Sequence, residues 1–266
     1  MSKKTKRNHY IPKYYLNGFC NSDNIIYCYD LDNDTIREST VNDVAFINNF
    51  YSNEVEEKLN REIEIPANVV LDQIKKKTLP NSEEKTILAK YMIKMLQRVP
   101  TGWERAKKAI PQVFDKVAPD FDREVAALIK KFPHKRLKLE QEWEETKQQQ
   151  IRWKNNPPQD LWHTLLKNEE MMKSTHVLSR LNWTFYVSEQ PNFITSDNPV
   201  FYTRLIGLNN ARSEVNFPIS SHILLHASYL AEPSNFYEAS KDTIVRANER
   251  TVKSANRYIF HCEMLR

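Results

Sequence analysis

The sequence predicts an α+β fold: an N-terminal hairpin and C-terminal strands in one antiparallel or mixed sheet, packed on a central helical section. Three observations predict it. Residues 25–41 alternate like two strands around an Asp-Asn-Asp turn. Residues 53–96 carry apolar side chains at helical spacings, and residues 183–227 return to a two-residue period. At 266 residues the chain is long enough to bury a core as a single domain, 1–266, with the charged stretch 103–157 as a helical excursion within it.

Pro12 to Phe19 begins with a proline, which suits a first helical turn, and has Gly18 near its end, so it reads as one or two turns of helix. Ile25 to Tyr29 is a strand, Asp32-Asn33-Asp34 the turn, and Thr35 to Val41 the returning strand. A helix starts at Asn53, with Asn53 and Glu56 as its capping pair and Pro66 as a kink. A second follows Ser82 and ends before Pro100 and Gly102. After the Lys- and Glu-rich excursion a third runs from Asp160 to Leu181. Strands are predicted at Trp183–Val187, on both sides of Ser196-Asp197-Asn198-Pro199, at Val215–Ile219 and at Ile223–Ala227. A helix capped by Asp242 and a strand at Tyr258–Cys262 end the chain.

Composition excludes several chemistries. Three glycines, none in a Gly-x-Gly-x-x-Gly or Walker-type run, leave no loop to cradle a nucleotide phosphate, and no Gly-x-Ser-x-Gly elbow exists. Cys20, Cys28 and Cys262 form no Cys-x-x-Cys pair, which argues against a disulfide framework or the usual zinc site. No run reaches the ~18–20 apolar residues of a membrane span, and the polar, basic N-terminus is unlike a signal peptide, so the expected location is cytoplasmic. The formal charge is +5, concentrated at Lys3, Lys4, Lys6 and Arg7. Such a tail is either solvated or a hold on a polyanion.

Two polar boxes in apolar surroundings carry the candidate site: Asn8 to Leu16, and Phe193 to Val200. His9, held near Tyr10 and Pro12, suits a general base or metal ligand, or else anchors the N-terminus by hydrogen bonds. Asp197, between Ser196 and Asn198, offers a carboxylate at a turn between strands, a place where sheets present catalytic groups. The turn also forms readily without function. Glu62 stands beside the apolar position Ile63. Arg98, next to Gln97 at a helix end, can clamp a phosphate or pair with a carboxylate. The expected catalytic set is therefore His9, Glu62, Arg98 and Asp197. Tyr10, Gln97, Ser196 and Asn198 are expected to bind, and Glu62 with Asp197 to hold a divalent metal ion. His222 and His226 read as strand residues ~13 Å apart, too far to share a metal.

The residues His9-Tyr10-Ile11-Pro12 with Tyr15-Leu16 and Phe19, then Asn49-Phe50-Tyr51, Gln97-Arg98-x-Pro100, Phe193 to Val200, Phe217-Pro218-Ile219-Ser220, and Asn248 ahead of Ala255-x-Arg257-Tyr258-Ile259, occur in an order that resembles domain-of-unknown-function family 4238. This mostly bacterial family carries no catalytic residues to transfer.

The residues themselves suggest a phosphodiester-cleaving, nuclease-like enzyme assisted by a divalent metal. The alternative is a non-catalytic nucleic-acid- or protein-binding module that uses the basic tail and the charged helical arm with Trp143 and Trp153.

Overall fold

The computed structural model describes residues 6–167, 172–203, 207–232 and 234–264. Lys3 and Lys4 of the basic tail, and residues 168–171 of the helix expected over 160–181, lie outside them. The chain falls into two compact units, Met1–Thr101 with Leu166–Arg266, and Gly102–Leu165.

In the first unit, β1 (Arg7–His9) enters as a strap, followed by the single turn α1 (Lys13–Leu16) and a 3-10 turn, Asn17–Phe19. The hairpin β2 (Ile26–Asp30) and β3 (Thr35–Ser39) turns through Asp34, whose φ of 49° is left-handed. Strand β4 (Phe46–Asn48) returns to pair antiparallel with β1. The helix α2 (Asn53–Leu59) is capped by Ser52, one residue before the expected Asn53. Between it and α3 (Ile65–Lys75) lies a π-turn, Asn60–Glu64. Pro66 has no N–H for the i−4 carbonyl, so the chain widens by one residue where a kink was expected. Then α4 (Ser82–Arg98) opens with a capping box, Asn81 and Glu84.

The second unit consists mostly of two long helices, α5 (Pro100–Lys131, beginning at the end of the first unit) and α6 (Arg136–Asn155), joined by the 3-10 turn Pro133–Lys135. Pro100 thus opens a helix directly after α4. α7 (Gln159–Lys167) leads back, and α8 (Met172–Arg180) follows.

The C-terminal strands divide between two sheets. β5 (Asn182–Val187), β7 (Phe201–Tyr202), β8 (Glu214–Ser220), β9 (Ile223–Ser228) and β10 (Asn235–Glu238) form a mixed sheet in the order β10-β5-β9-β8-β7, with β10 parallel to β5. β6 (Thr195–Ser196) and β11 (Tyr258–His261) join the N-terminal hairpin in an antiparallel sheet, β3-β2-β11-β6. α9 (Lys241–Ser254) begins at Ser240, whose side chain accepts from Thr243 N, two residues before the expected cap.

The five-stranded sheet is two-faced because side chains alternate along each strand. Register sets Phe217 beside Leu225 and Phe185, all buried, on one face. Against Phe217 stack Tyr15, at 5.1 Å, and Tyr91, edge-on at 6.3 Å. The other face carries Glu214, Asn216, His226 and Tyr186. Gly18 permits the strap to approach β8: a Cβ there would lie 3.1 Å from the Ile219 carbonyl, and Ser221 N donates to Gly18 O at 2.9 Å. No described helix is long and apolar enough to cross a membrane.

Candidate functional site

The polar groups of the strap are satisfied by neighbours. Asn8 donates to Glu56 (3.1 Å) and accepts from Tyr51 N (3.2 Å). His9 is buried, and its Nε2–H donates to the Asn42 carbonyl at 3.3 Å. Burial pulls its pKa down, and Lys13 adds to the effect. The His9 carbonyl accepts from Arg98 Nη2 at 2.7 Å. Arg98 is almost fully buried; its Nη1 pairs with Glu64, and its own carbonyl accepts from the Tyr51 hydroxyl. Burial opposes the Arg98 charge, but Glu64, Tyr51 and Glu56 together more than offset this and the pKa rises. Gln97 sits half-buried beside it.

Glu62 is placed differently from Glu64. It pairs with Lys58 (3.6 Å) and Arg61 (2.9 Å), and Arg61 holds its pKa below the ordinary range. The extra residue of the π-turn rotates the helix face, so Glu64 rather than Glu62 turns to Arg98. Sequence reasoning missed Glu64; the signal available was Pro66, which disturbs the ladder within one turn.

The second box is a buried clamp. Asp197 accepts from Asn256 N (2.7 Å) and Arg257 N (2.9 Å), and its own N–H donates to Tyr258 O (2.9 Å). Burial pushes the carboxyl pKa up, and the backbone N–H groups pull the other way. Ser196 Oγ accepts from Asn198 N at 3.2 Å; Asn198 Nδ2 donates to Ser254 O at 2.7 Å, and Ser254 Oγ returns a bond to Asn198 O at 3.1 Å. The box therefore fixes the exit of α9 onto β11. Tyr10 is buried near Asp197, and burial first, then that carboxylate, push its phenol far above the ordinary range.

The structure thus joins His9 to Arg98 through a main-chain carbonyl and sets Tyr10 near Asp197, while Glu62 stays with its helix neighbours. Among the described residues no group of three or more His, Cys, Asp or Glu side chains is placed to hold a metal ion. Glu62 is paired with Lys58 and Arg61, and both carboxylate oxygens of Asp197 accept main-chain N–H groups.

The hairpin of α5 and α6 shows the opposite distribution of charge. Val125 to Leu139 holds five Lys or Arg residues and no Asp or Glu. Of these, Arg136 pairs with Glu140 (2.8 Å) and Lys138 with Glu142 (3.7 Å). Lys130, Lys131 and Lys135 are exposed and have no carboxylate partner among the described residues. Lys131 and Lys135 lie 5.3 and 5.6 Å from the centroid of the Phe132 ring. Leu137 is 84% exposed. The expected binding tryptophans serve as braces: Trp143 donates to Asp122 at 2.8 Å and lies 6.1 Å from Phe121, and Trp153 lies 6.1 Å from Phe114.

The family model described as "Protein of unknown function (DUF4238)" matches residues 7–264. The chain belongs to this family. The match covers the strap, the Asp197 clamp and the hairpin of this DUF4238 protein. No curated protein and no solved structure matches it.

Proposed function

We propose that this DUF4238 protein is a nucleic-acid-binding module that holds the phosphate backbone at the tip of the α5–α6 hairpin. The observation that carries the reading is the run of exposed, carboxylate-free cations Lys130, Lys131 and Lys135 on a braced turn. A strand of phosphates is complementary to such a run, and binding releases condensed counterions. Phe132 offers a ring beside two of these lysines on which an unpaired base can stack. Phosphodiester cleavage by His9, Glu62, Arg98 and Asp197 has less support. Arg98 and Asp197 are committed to internal partners, and Glu62 is not drawn to them.

Fluorescence polarisation with labelled single- and double-stranded DNA and RNA across 50–200 mM salt tests the reading. Three phosphate contacts predict a log–log slope of roughly −2 on single strands and roughly −3 on duplex DNA. Replacing Lys130, Lys131 and Lys135 together with alanine is expected to flatten the slope by about that amount while leaving thermal stability unchanged. An absence of binding at low salt, or binding indifferent to the triple variant, overturns it.

A further inference from the structure

The polar face of the five-stranded sheet is not closed by α9. Between them lies a cavity of about 200 Å³. The sheet contributes Glu214, Asn216 and His226, and the helix contributes Asp242, Arg246 and Arg250, which fall on one side at a spacing of four. None of these residues takes part in the strap, the Asp197 clamp or the hairpin.

Asn216, almost fully buried, organises the wall. Its amide is assigned the orientation that satisfies both neighbours, with the oxygen accepting from Arg250 Nη1 at 2.9 Å and the nitrogen donating to His226 Nδ1 at 2.7 Å. His226 Nδ1 is therefore an acceptor, and the ring is neutral with its proton on Nε2. Burial lowers its pKa, in keeping with that state. Nε2–H has no protein acceptor among the described residues and remains a free donor in the lining.

The charges balance in pairs. Arg250 pairs with Glu214, and Arg246 with Asp242 at 3.0 Å. A ligand with net charge would leave one member of a pair unmatched. A hydroxyl can donate to the carboxylate and accept from the guanidinium at once, so two adjacent hydroxyls suit such a wall. Tyr186 and Leu224 add an apolar patch for the C–H face of a ring. The volume falls below the ~300–1,000 Å³ of sites for drug-sized ligands and suits a single small ring.

We propose that the cleft between α9 and the sheet binds a small neutral molecule bearing a vicinal diol, with His226 Nε2–H and Arg246 donating to its oxygens and Glu214 and Asp242 accepting from its hydroxyls. The diol belongs to a free sugar or to the ribose of a nucleoside. Titration calorimetry on the full chain with ribose, glucose, adenosine and 2′-deoxyadenosine separates the two sources, with inorganic phosphate as the anionic control.

Saturable binding of at least one diol compound is expected. Its affinity falls about tenfold or more in Arg246→Ala, which removes a charge-assisted hydrogen bond at an exposed position and spares the core. His226→Gln, checked for an unchanged circular dichroism spectrum, is expected to weaken the same ligand. Binding of adenosine but not 2′-deoxyadenosine assigns the ribose; binding of the sugars assigns a carbohydrate. No binding by any diol, binding by both variants as tight as that of the unsubstituted chain, or preference for phosphate overturns the proposal.

Discussion

The Asp197 clamp and the hairpin tip are both polar segments, and they differ in where the partners of their polar groups lie. At the clamp the carboxylate meets two main-chain N–H groups, and Ser196 and Asn198 bond to the chain around them. At the tip three lysines face solvent with no carboxylate beside them. A polar group inside an apolar segment is costly unless bonded, so the fold supplies bonds. An excess of like charge on a surface is unfavourable to keep and has no internal remedy. Internal satisfaction is what architecture requires, and the uncompensated surplus is what the proposed nucleic-acid contact rests on.

The strap offers the largest test of this contrast. Arg98→Ala leaves the half-buried Glu64 without its partner and removes the hold that a buried guanidinium has on the His9 carbonyl. A loss of about 3–5 kcal/mol is expected, roughly 10 °C or more in Tm by calorimetry. Glu62→Ala is the control, expected to leave Tm unchanged. A loss in Glu62→Ala equal to that in Arg98→Ala would show that the π-turn does not set the inward face.

Asp197→Ala removes the acceptor for two main-chain N–H groups. The expected destabilisation is about 2–4 kcal/mol by denaturant titration, with Asp197→Asn intermediate because one acceptor oxygen remains. A stable alanine variant lacking a cellular or biochemical activity would move Asp197 from architecture to chemistry.

A smaller effect concerns pH. Arg257 donates twice to Asp30, at 2.9 and 2.6 Å, and holds that carboxyl well below the ordinary range. Because the folded pKa is depressed, the stabilisation is present above the unfolded value of about 3.9 and is lost as pH falls through the folded value. Arg257→Ala is therefore expected to lower Tm at pH 7, and its deficit to shrink as pH approaches 2. A deficit that stays constant with pH would assign the effect to packing.

The amphipathic periods of Ile26–Asp30, Ser82–Arg98 and Glu214–Ser220, and the breaks at Ser82, Pro100 and Asp34, were legible from the sequence, because each depends on residues within one or two turns of each other. So were the charged, helical character of 103–157 and the polarity of the two boxes, whereas the surplus of lysines at the hairpin tip was not singled out. The division of the C-terminal strands between two sheets was not, nor was the pairing of β1 with β4 or of β10 with β5: strand partners are chosen by contacts far apart in the chain. Composition could nominate Asp197 and Arg98, but only the tertiary structure decided that their partners are the N–H groups of Asn256 and Arg257, Glu64 and the His9 carbonyl. His226 was set aside as half of a metal pair. What gives it a free Nε2–H in a cleft is Asn216 across the ladder and the arginines of α9, neighbours brought together by register and packing.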